Sequence, residues 1–207
     1  MKILTQDSKE IACIVLASGF SRRFGDQDKL SAKLPNGQTV IEQTLAIYQA
    51  VFDRVHLITR PEQFSQSNLS DSTEWAECGN FDNHVELISN HNAEQGMSQS
   101  MVTAVSKVPS EGGWLFALGD MPYLEESTVR MVLEQSLSSN IVQPCYKGRP
   151  GHPVFFGGAF AQKLLNLQGD QGARGLVDQA NSQQLVKLPV DDPSILWDID
   201  LLADICG

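Results

Sequence analysis

Two groups of residues in this chain have the types and spacing to do chemistry together: a run of cations early on, and a set of carboxylates farther along. Arg22, Arg23, Lys29 and Lys33 place four positive charges within twelve residues, only partly offset by Asp26 and Asp28. They follow Ser18 and Gly19, and a Gly/Ser turn can point several backbone N–H groups into one concavity whose natural occupant is an anion. Asp120 stands in Gly119-Asp120-Met121-Pro122, directly after an apolar run, and Asp198 and Asp200 stand two apart in Asp198-Ile199-Asp200. A hard divalent cation beside a polyphosphate is typically held by one or two carboxylates. Cations for phosphates and carboxylates for a metal are the chemistry these residue types permit. Taken by themselves they leave plainer readings open, namely an ordinary glycine turn with solvated arginines and an Asx-turn at Asp120.

Three further stretches carry candidate groups. His152 sits between Gly151 and Pro153 at the entrance to an apolar strand, a loop position of the kind where function concentrates, although a lone histidine is more often structural. In Gly169-Asp170-Gln171-Gly172-Ala173-Arg174, Asp170 reads as the N-cap of a following helix. Arg174, one turn in, suits a phosphate. Between Gly96 and Met101, the apolar spacing of Met97, Met101, Val102 and Val105 starts a helix near Gly96 or Ser98, with Ser98 as a plausible N-cap.

The elements that must position these groups follow from the apolar pattern. Ile11–Ala17 is a continuous apolar run, too short for an independent helix, and reads as a strand buried on both faces. Residues 39–51 read as an amphipathic helix, and 54–59 as a second short buried strand in which His56 is a satisfied sheet residue. Strand, helix, strand of this length is a βαβ unit, which demands a right-handed crossover and a parallel sheet. Further strands are expected at 84–89, at 114–118 (free of polar residues and hence central), at 141–144, at 154–156 and at 184–189. Helices are expected near 61–69, from 96 or 98, over 125–137 and 157–167, after Asp170, and briefly after Asp200. Trp75 and Cys78, in a polar stretch, are expected to tuck against the body. The whole is read as one α/β domain over 1–207, a mostly parallel sheet with helices on both faces, its ligands at the carboxyl ends of the strands.

Composition bounds the partners. Fifteen basic against 25 acidic residues give a formal charge of −10, which argues against non-specific binding of nucleic acid or an anionic membrane. Four of the fifteen cations lie in 22–33, the local positive patch an acidic protein needs to take a polyphosphate. The four cysteines are widely spaced with no C-x-x-C pair, which suits a reducing cytoplasm rather than a disulfide framework or zinc knuckle. Residues 1–10 are polar and no apolar run approaches ~18 residues, so a cytoplasmic protein is expected. The loop matches neither G-x-G-x-x-G nor G-x-x-x-x-G-K-[ST].

Leu-Ala-Ser-Gly-Phe-Ser-Arg-Arg-Phe-Gly (16–25), followed by Lys29, resembles the signature loop of the molybdopterin nucleotidyltransferase-like family, closest to the molybdenum cofactor cytidylyltransferases. Gly-Asp-Met-Pro (119–122), Gly-His-Pro (151–153), Gly-Asp-x-Gly-Ala-Arg (169–174) and Asp-Ile-Asp (198–200) are similar to later elements of that family in the same order. The usual cytidylyltransferase loop reads Leu-Ala-Ala-Gly and the guanylyltransferase loop Leu-Ala-Gly-Gly; here Ser18 occupies the position that differs. The Thr-Pro that commonly follows the terminal Asp pair is replaced by Leu201-Leu202.

The resemblance implies a Rossmann-like fold and transfer of a nucleoside monophosphate from an NTP to a phosphorylated acceptor, with release of pyrophosphate and dependence on Mg²⁺. It places Leu16, Ala17, Ser18, Gly19, Arg22, Lys29, Gly96, Ser98 and Ser100 on the nucleotide, with Lys29, Arg22 and Asp120 in the catalytic role. Asp120, with Asp198 or Asp200, would hold the metal, and His152 and Arg174 would face the acceptor. CTP and molybdopterin are the favoured substrates, and a transient contact with a molybdenum enzyme is the partner this adds. A guanylyltransferase, another nucleotidyltransferase of the same fold with a different acceptor, and a non-catalytic cofactor chaperone are the alternatives. Comparing CTP with GTP separates the base choices, cytidylyltransferase from guanylyltransferase, and the presence of both Lys29 and Asp120 speaks against the chaperone.

Overall fold

β1 (Ile11–Leu16) is the strand around which the sheet is built, paired in parallel with β2 (Val55–Thr59) on one side and β4 (Gly113–Leu118) on the other. The computed structural model describes residues 10–19, 28–61 and 84–205. β3 (Val85–Ser89) extends the sheet beyond β2, also in parallel. Beyond β4 lies β7 (Val154–Gly157), which runs antiparallel to β4 and to its other neighbour β5 (Ile141–Tyr146). β8 (Leu185–Pro189) closes that side in parallel with β5, and the two-residue β6 (Arg149–Pro150) folds back on Cys145 and Tyr146. The result is a mostly parallel, eight-stranded mixed sheet.

Helices cover both faces, which is why β1 and β4 have no polar alternation. Cys13 and Val15 of β1 point to the face packed by α1 (Val40–Gln49) and, through Leu115 and Ala117, by α3 (Glu126–Glu134). Ala12 and Ile14 point to the other, with Trp114, Phe116 and Phe156, under α2 (Met97–Lys107) and α4 (Ala161–Leu165). α5 (Arg174–Gln179) packs on that second face through Leu176 and Val177. Cys13, fully buried, is a core residue whose thiol is pushed far up by burial.

The predicted elements are present with local corrections. α1 begins after Thr39, whose Oγ1 accepts from the Glu42 amide at 3.2 Å while Glu42 Oε2 accepts from the Thr39 amide at 2.7 Å, a complete capping box. α3 stops at Glu134, short of the expected Leu137: the amides of Gln135 and Ser136 turn to the carbonyls of Val132 and Leu133, three residues back, and the Ser136 hydroxyl takes the Val132 carbonyl. Over 157–167 a 3₁₀ turn (Gly158–Phe160) precedes α4, because Gly157 and Gly158 must pass close to the carbonyls of Ser138 and Glu111. His56 is the expected sheet residue, 3.3 Å from its cross-strand partner Glu86. Burial holds its imidazole below the usual pKa, with Glu86 opposing. The short helix expected after Asp200 is the 3₁₀ turn Leu202–Ile205. The helix expected near 61–69, Trp75 and Cys78 lie outside the described residues. Among the described residues no helix is long and apolar enough to cross a membrane.

The carboxyl ends of β1 and β4 lie side by side. The Gly119 amide donates to the Leu16 carbonyl at 2.9 Å. A Cβ at Gly119 would stand 3.2 Å from the Ala17 Cβ and 3.3 Å from Ile41 Cδ1, so the 119–122 turn and the Ala17–Gly19 loop are pressed together.

Candidate active site

Lys29 is delivered by a single 3₁₀ turn (Lys29–Ser31) that Asp28 caps, its Oδ1 accepting from the Leu30 amide at 3.1 Å. Its ammonium reaches Asp120 Oδ2 at 2.5 Å and Asp200 Oδ1 at 3.5 Å. The segment carrying Asp198 and Asp200 is stitched to the Asp120 turn, since the Ile199 amide donates to the Asp120 carbonyl at 2.9 Å. Ile199 is buried, while its two neighbours are exposed or half-exposed. This is the alternation that puts two carboxylates on one side of an extended chain.

Among the described residues, the electrostatics are those of a crowded acidic site held by Lys29. Burial works against the charged form of Lys29, but Asp120 above all, then Asp200 and Asp198, outweigh it and raise its pKa. Lost hydration, the Asp120 charge and then the Asp200 charge push the Asp198 carboxyl up, while a backbone hydrogen bond and, less strongly, Lys29 hold it down. Asp120 Oδ1 is buried, with no hydrogen-bond partner among the described residues. An orphaned carboxylate oxygen beside two further carboxylates suits a hard divalent cation. Among the described residues no three acidic, histidine or cysteine side chains stand at metal-ligand spacing, and Lys29 lies between Asp120 and Asp200.

On the loop side, the Ala17 amide is committed to the Ile58 carbonyl at 2.8 Å, so the expected use of loop amides for an anion narrows to Ser18 and Gly19. Ser18 and Ser100 meet, Oγ to Oγ, at 2.6 Å, and Asn90 Nδ2 donates to the Ser100 hydroxyl at 3.1 Å. Ser98 is drawn away from this group. It lies inside α2 rather than capping it, and its hydroxyl donates to the carbonyls of Gln168 at 3.2 Å and Gly172 at 3.4 Å. The cap residue is Gly96, at φ +96°, where a Cβ would strike Asp170. Asp170 itself serves α2, accepting from the Met97 amide at 3.4 Å, and not the helix that follows it, which opens after Ala173 without a side-chain cap. Arg22 lies outside the described residues.

On the far side of the carboxylates, the His152 amide donates to the Ile195 carbonyl at 3.0 Å, and its peptide bond to Pro153 is cis. Burial lowers its imidazole pKa to about 4 against the pull of Asp198, and Nδ1 is buried without a partner among the described residues. Arg174 is 80% exposed and pairs with Asp178 at 3.8 Å, apart from this group. The fold thus gathers Lys29, Asp120, Asp198 and Asp200, with His152 facing Asp198 and the Ser18–Ser100 pair on the loop; Ser98 and Arg174 stand outside. Two residues escaped the sequence reading. Asn90 follows β3 directly, and Arg60 follows β2 and sits 3.7 Å from Asp28, next to Lys29. Their position at carboxyl ends of parallel strands was the available signal.

Residues 13–185 match the model of the MobA-like NTP transferase domain. The chain belongs to that family and is a nucleotidyltransferase. It is 27% identical over 193 residues to the purine catabolism protein PucB of Bacillus subtilis, covering 90% of each. It is 28% identical over 159 residues to a probable molybdenum cofactor guanylyltransferase of Aquifex aeolicus, covering 76% of this chain and 67% of that one. With the 2-C-methyl-D-erythritol 4-phosphate cytidylyltransferase of Dehalococcoides mccartyi it shares 28% identity over 130 residues, 61% of this chain and only about half (53%) of that enzyme. Among solved structures it superposes on Rv0371c of Mycobacterium tuberculosis with a TM-score of 0.73 at 27% identity, over 94% and 95% of the two chains. A further structure of Rv0371c, in complex with manganese, gives 0.68 at 23% over 94% and 95%.

Proposed function

We propose that this chain transfers CMP from CTP to the terminal phosphate of molybdopterin, with release of pyrophosphate and in dependence on Mg²⁺. The observation that carries the reading is the lodging of Lys29 against Asp120 and Asp200 at the carboxyl ends of β1 and β4, where open α/β sheets take their ligands.

An acceptor phosphate oxygen attacks the α-phosphorus in line, the bond to the bridging oxygen breaks, and pyrophosphate leaves with the electron pair. Such a step needs positioning and charge neutralisation rather than a covalent nucleophile. Lys29 and the amides of Ser18 and Gly19, with Arg22, hold the phosphates. Asp120, whose Oδ1 has no partner among the described residues, would hold the metal with Asp198 or Asp200. When bound there, Mg²⁺ supplies neutralisation of the charge that develops on the α-phosphate and the leaving group. His152, neutral at physiological pH, offers the acceptor a hydrogen-bonding group without adding charge. Arg174 reaches the acceptor only by leaving Asp178. The acidic surface keeps nucleic acid and anionic membranes away, and the expected setting is the cytoplasm.

Ser18 supports the cytidylyltransferase side, because a side chain stands where guanylyltransferases have glycine. The Aquifex guanylyltransferase relative supports GTP as the second reading. Thermal stability with each NTP, with and without Mg²⁺, separates them: a ligand at 100 times its Kd adds about 2.7 kcal/mol. A Mg²⁺-dependent shift with CTP, followed by pyrophosphate release when molybdopterin is added, is the expected result. A shift with GTP alone transfers the assignment to the guanylyltransferase, and no shift with any nucleotide refutes nucleotidyl transfer in favour of a cofactor chaperone.

A further inference from the structure

We propose that Asp192 is a positioning residue for the divalent metal: its buried carboxylate locks the segment carrying Asp198 and Asp200 to the start of α3, and so holds that segment against Asp120. This rests on the metal placement proposed above. Asp192 is 2% exposed, and its two oxygens serve different pieces of chain. Oδ1 accepts from the Ser194 amide at 2.9 Å and from the Ser194 hydroxyl, closing the 3₁₀ turn Pro193–Leu196. Oδ2 accepts from the Glu125 amide at 3.2 Å and from the Thr128 hydroxyl at 2.8 Å. Glu125, at the N-cap of α3, makes no side-chain cap of its own. The Asp192 carboxylate, from 67 residues farther on, stands at that end of the helix instead, where the helix dipole favours it.

The bridge joins the two arms of the acidic group. α3 follows the 119–122 turn that presents Asp120, and the Pro193–Leu196 turn leads directly through Trp197 to Asp198. Farther along, backbone bonds tie the same segment down: the Ile195 carbonyl accepts from the His152 amide at 3.0 Å, and the Ile199 amide donates to the Asp120 carbonyl at 2.9 Å. Carboxylates gathered this closely repel one another, and the charges of Asp120 and Asp200 both act on Asp198. An anchor upstream keeps that repulsion from prising the segment away from Asp120. Only a carboxylate makes this anchor. The Ser194 and Glu125 amides can only donate, and they meet different oxygens. A carboxamide in place of Asp192 therefore turns its NH₂ group toward one of them whichever way it lies, and one end of the bridge is lost at nearly constant volume.

The test is Mn²⁺ binding, read from loss of the free ion's electron paramagnetic resonance signal, in wild type, Asp192→Asn, Thr128→Val and Ser136→Ala at a temperature where each is folded. Ser136→Ala is the control: its hydroxyl donates to the Val132 carbonyl at 2.9 Å, at the other end of α3, so its loss loosens the same helix without touching the bridge. Asp192→Asn is expected to weaken Mn²⁺ by about tenfold, the low end of what groups behind a metal's ligands contribute. Thr128→Val keeps the carboxylate and removes one of its donors, and is expected to cost about threefold on the same scale. Ser136→Ala should stay within about twofold of wild type, since distant sites act independently. The kcat of Asp192→Asn for pyrophosphate release should recover as Mn²⁺ is raised, a rescue that general loosening of the fold does not give. Wild-type Mn²⁺ affinity in Asp192→Asn, or in Thr128→Val where the first variant does not fold, would overturn the inference and leave the proposed function standing. An equal loss in Ser136→Ala would do the same. A wild type that binds no Mn²⁺ would overturn the metal placement and the inference with it.

Discussion

Replacing Lys29 with methionine tests the centre of the site without reference to any substrate. Lys29 and Asp120 are about equally covered, at 14% and 16% exposure, and meet at 2.5 Å. A hydrogen bond between charged groups contributes about 1.5–3 kcal/mol, and an exposed pair such as that with Asp200 under about 1. Methionine keeps the length and apolar stem of the side chain, so the expected loss is about 2–3 kcal/mol at pH 8. At roughly 2–4 °C per kcal/mol for a chain of this size, that is a fall in Tm of about 5–10 °C. The pH dependence gives the argument its sign. Lys29 has a raised pKa, so its contribution is fully present below about 10.5 and is lost only as pH rises through the folded value. Asp198 is also raised, which for a carboxyl means that its ionised form costs stability at neutral pH and that protonation relieves the cost. A backbone hydrogen bond and, to a smaller degree, Lys29 restrain that rise, so in the variant Asp198 takes up its proton somewhat earlier on acidification. Urea denaturation at pH 8 and pH 5, with and without Mg²⁺, should show the gap between the two proteins narrowing at pH 5, and Mg²⁺ stabilising the variant more than wild type. A gap that is the same at both pH values and indifferent to Mg²⁺ would refute the claim that this ammonium neutralises the acidic group.

Asp120→Asn should abolish Mg²⁺-dependent pyrophosphate release while leaving the fold intact, since it removes a charge that repels Asp198; activity retained in Mg²⁺ would move the metal elsewhere. Lys29→Ala should lower kcat by roughly 10²–10³, the scale of deleting one preorganised charge-stabilising group, and a two- or threefold drop would remove Lys29 from the transition state. His152 has its pKa depressed to about 4, so its stabilising effect is present above about 6.5 and lost as pH falls from there towards the folded value. Wild type should therefore lose up to about 3 kcal/mol relative to His152→Asn between pH 6.5 and 4, measured by denaturant titration, and equal acid sensitivity would contradict the burial of that ring. Thr39→Ala should cost about 1 kcal/mol of unfolding free energy by opening the capping box of α1, with no change in nucleotide affinity.

What the sequence revealed and what it withheld divide along a physical line. Strands buried on both faces announce themselves as apolar runs, so β1 and β4 were readable, and with them the place of Asp120 directly after a strand, whereas their adjacency, which brings Lys29 to Asp120, came from the sheet pairing. The two-residue spacing of Asp198 and Asp200 left open whether they share a side; the buried Ile199 between them shows the alternation. The residues that were misread are those whose partners are distant in the chain. Asp170 looks like the cap of the next helix because capping is ordinarily local, yet it serves the N-terminus of α2, 73 residues earlier. Ser98 has the same local disguise and the same remote use, on carbonyls 70 and 74 residues away.

These two misreadings describe one device. Gly96 leaves no room for a Cβ against Asp170, and Ser98 ties both ends of the 168–172 segment. The segment that resembles an acceptor-side element is thereby fastened to the first turn of the helix whose Ser100 meets the phosphate loop. Arg174 follows that segment directly, exposed and paired on the surface with Asp178, a contact worth little. A phosphate arriving there needs to displace only Asp178, whereas displacing Lys29 from its carboxylates costs more. On the proposed roles, with Arg174 brought in from outside the group that Lys29 and Asp120 form, the acceptor side is the easily rearranged half and the nucleotide side the preorganised half, the division expected where charge neutralisation at the α-phosphate must be in place before the acceptor attacks.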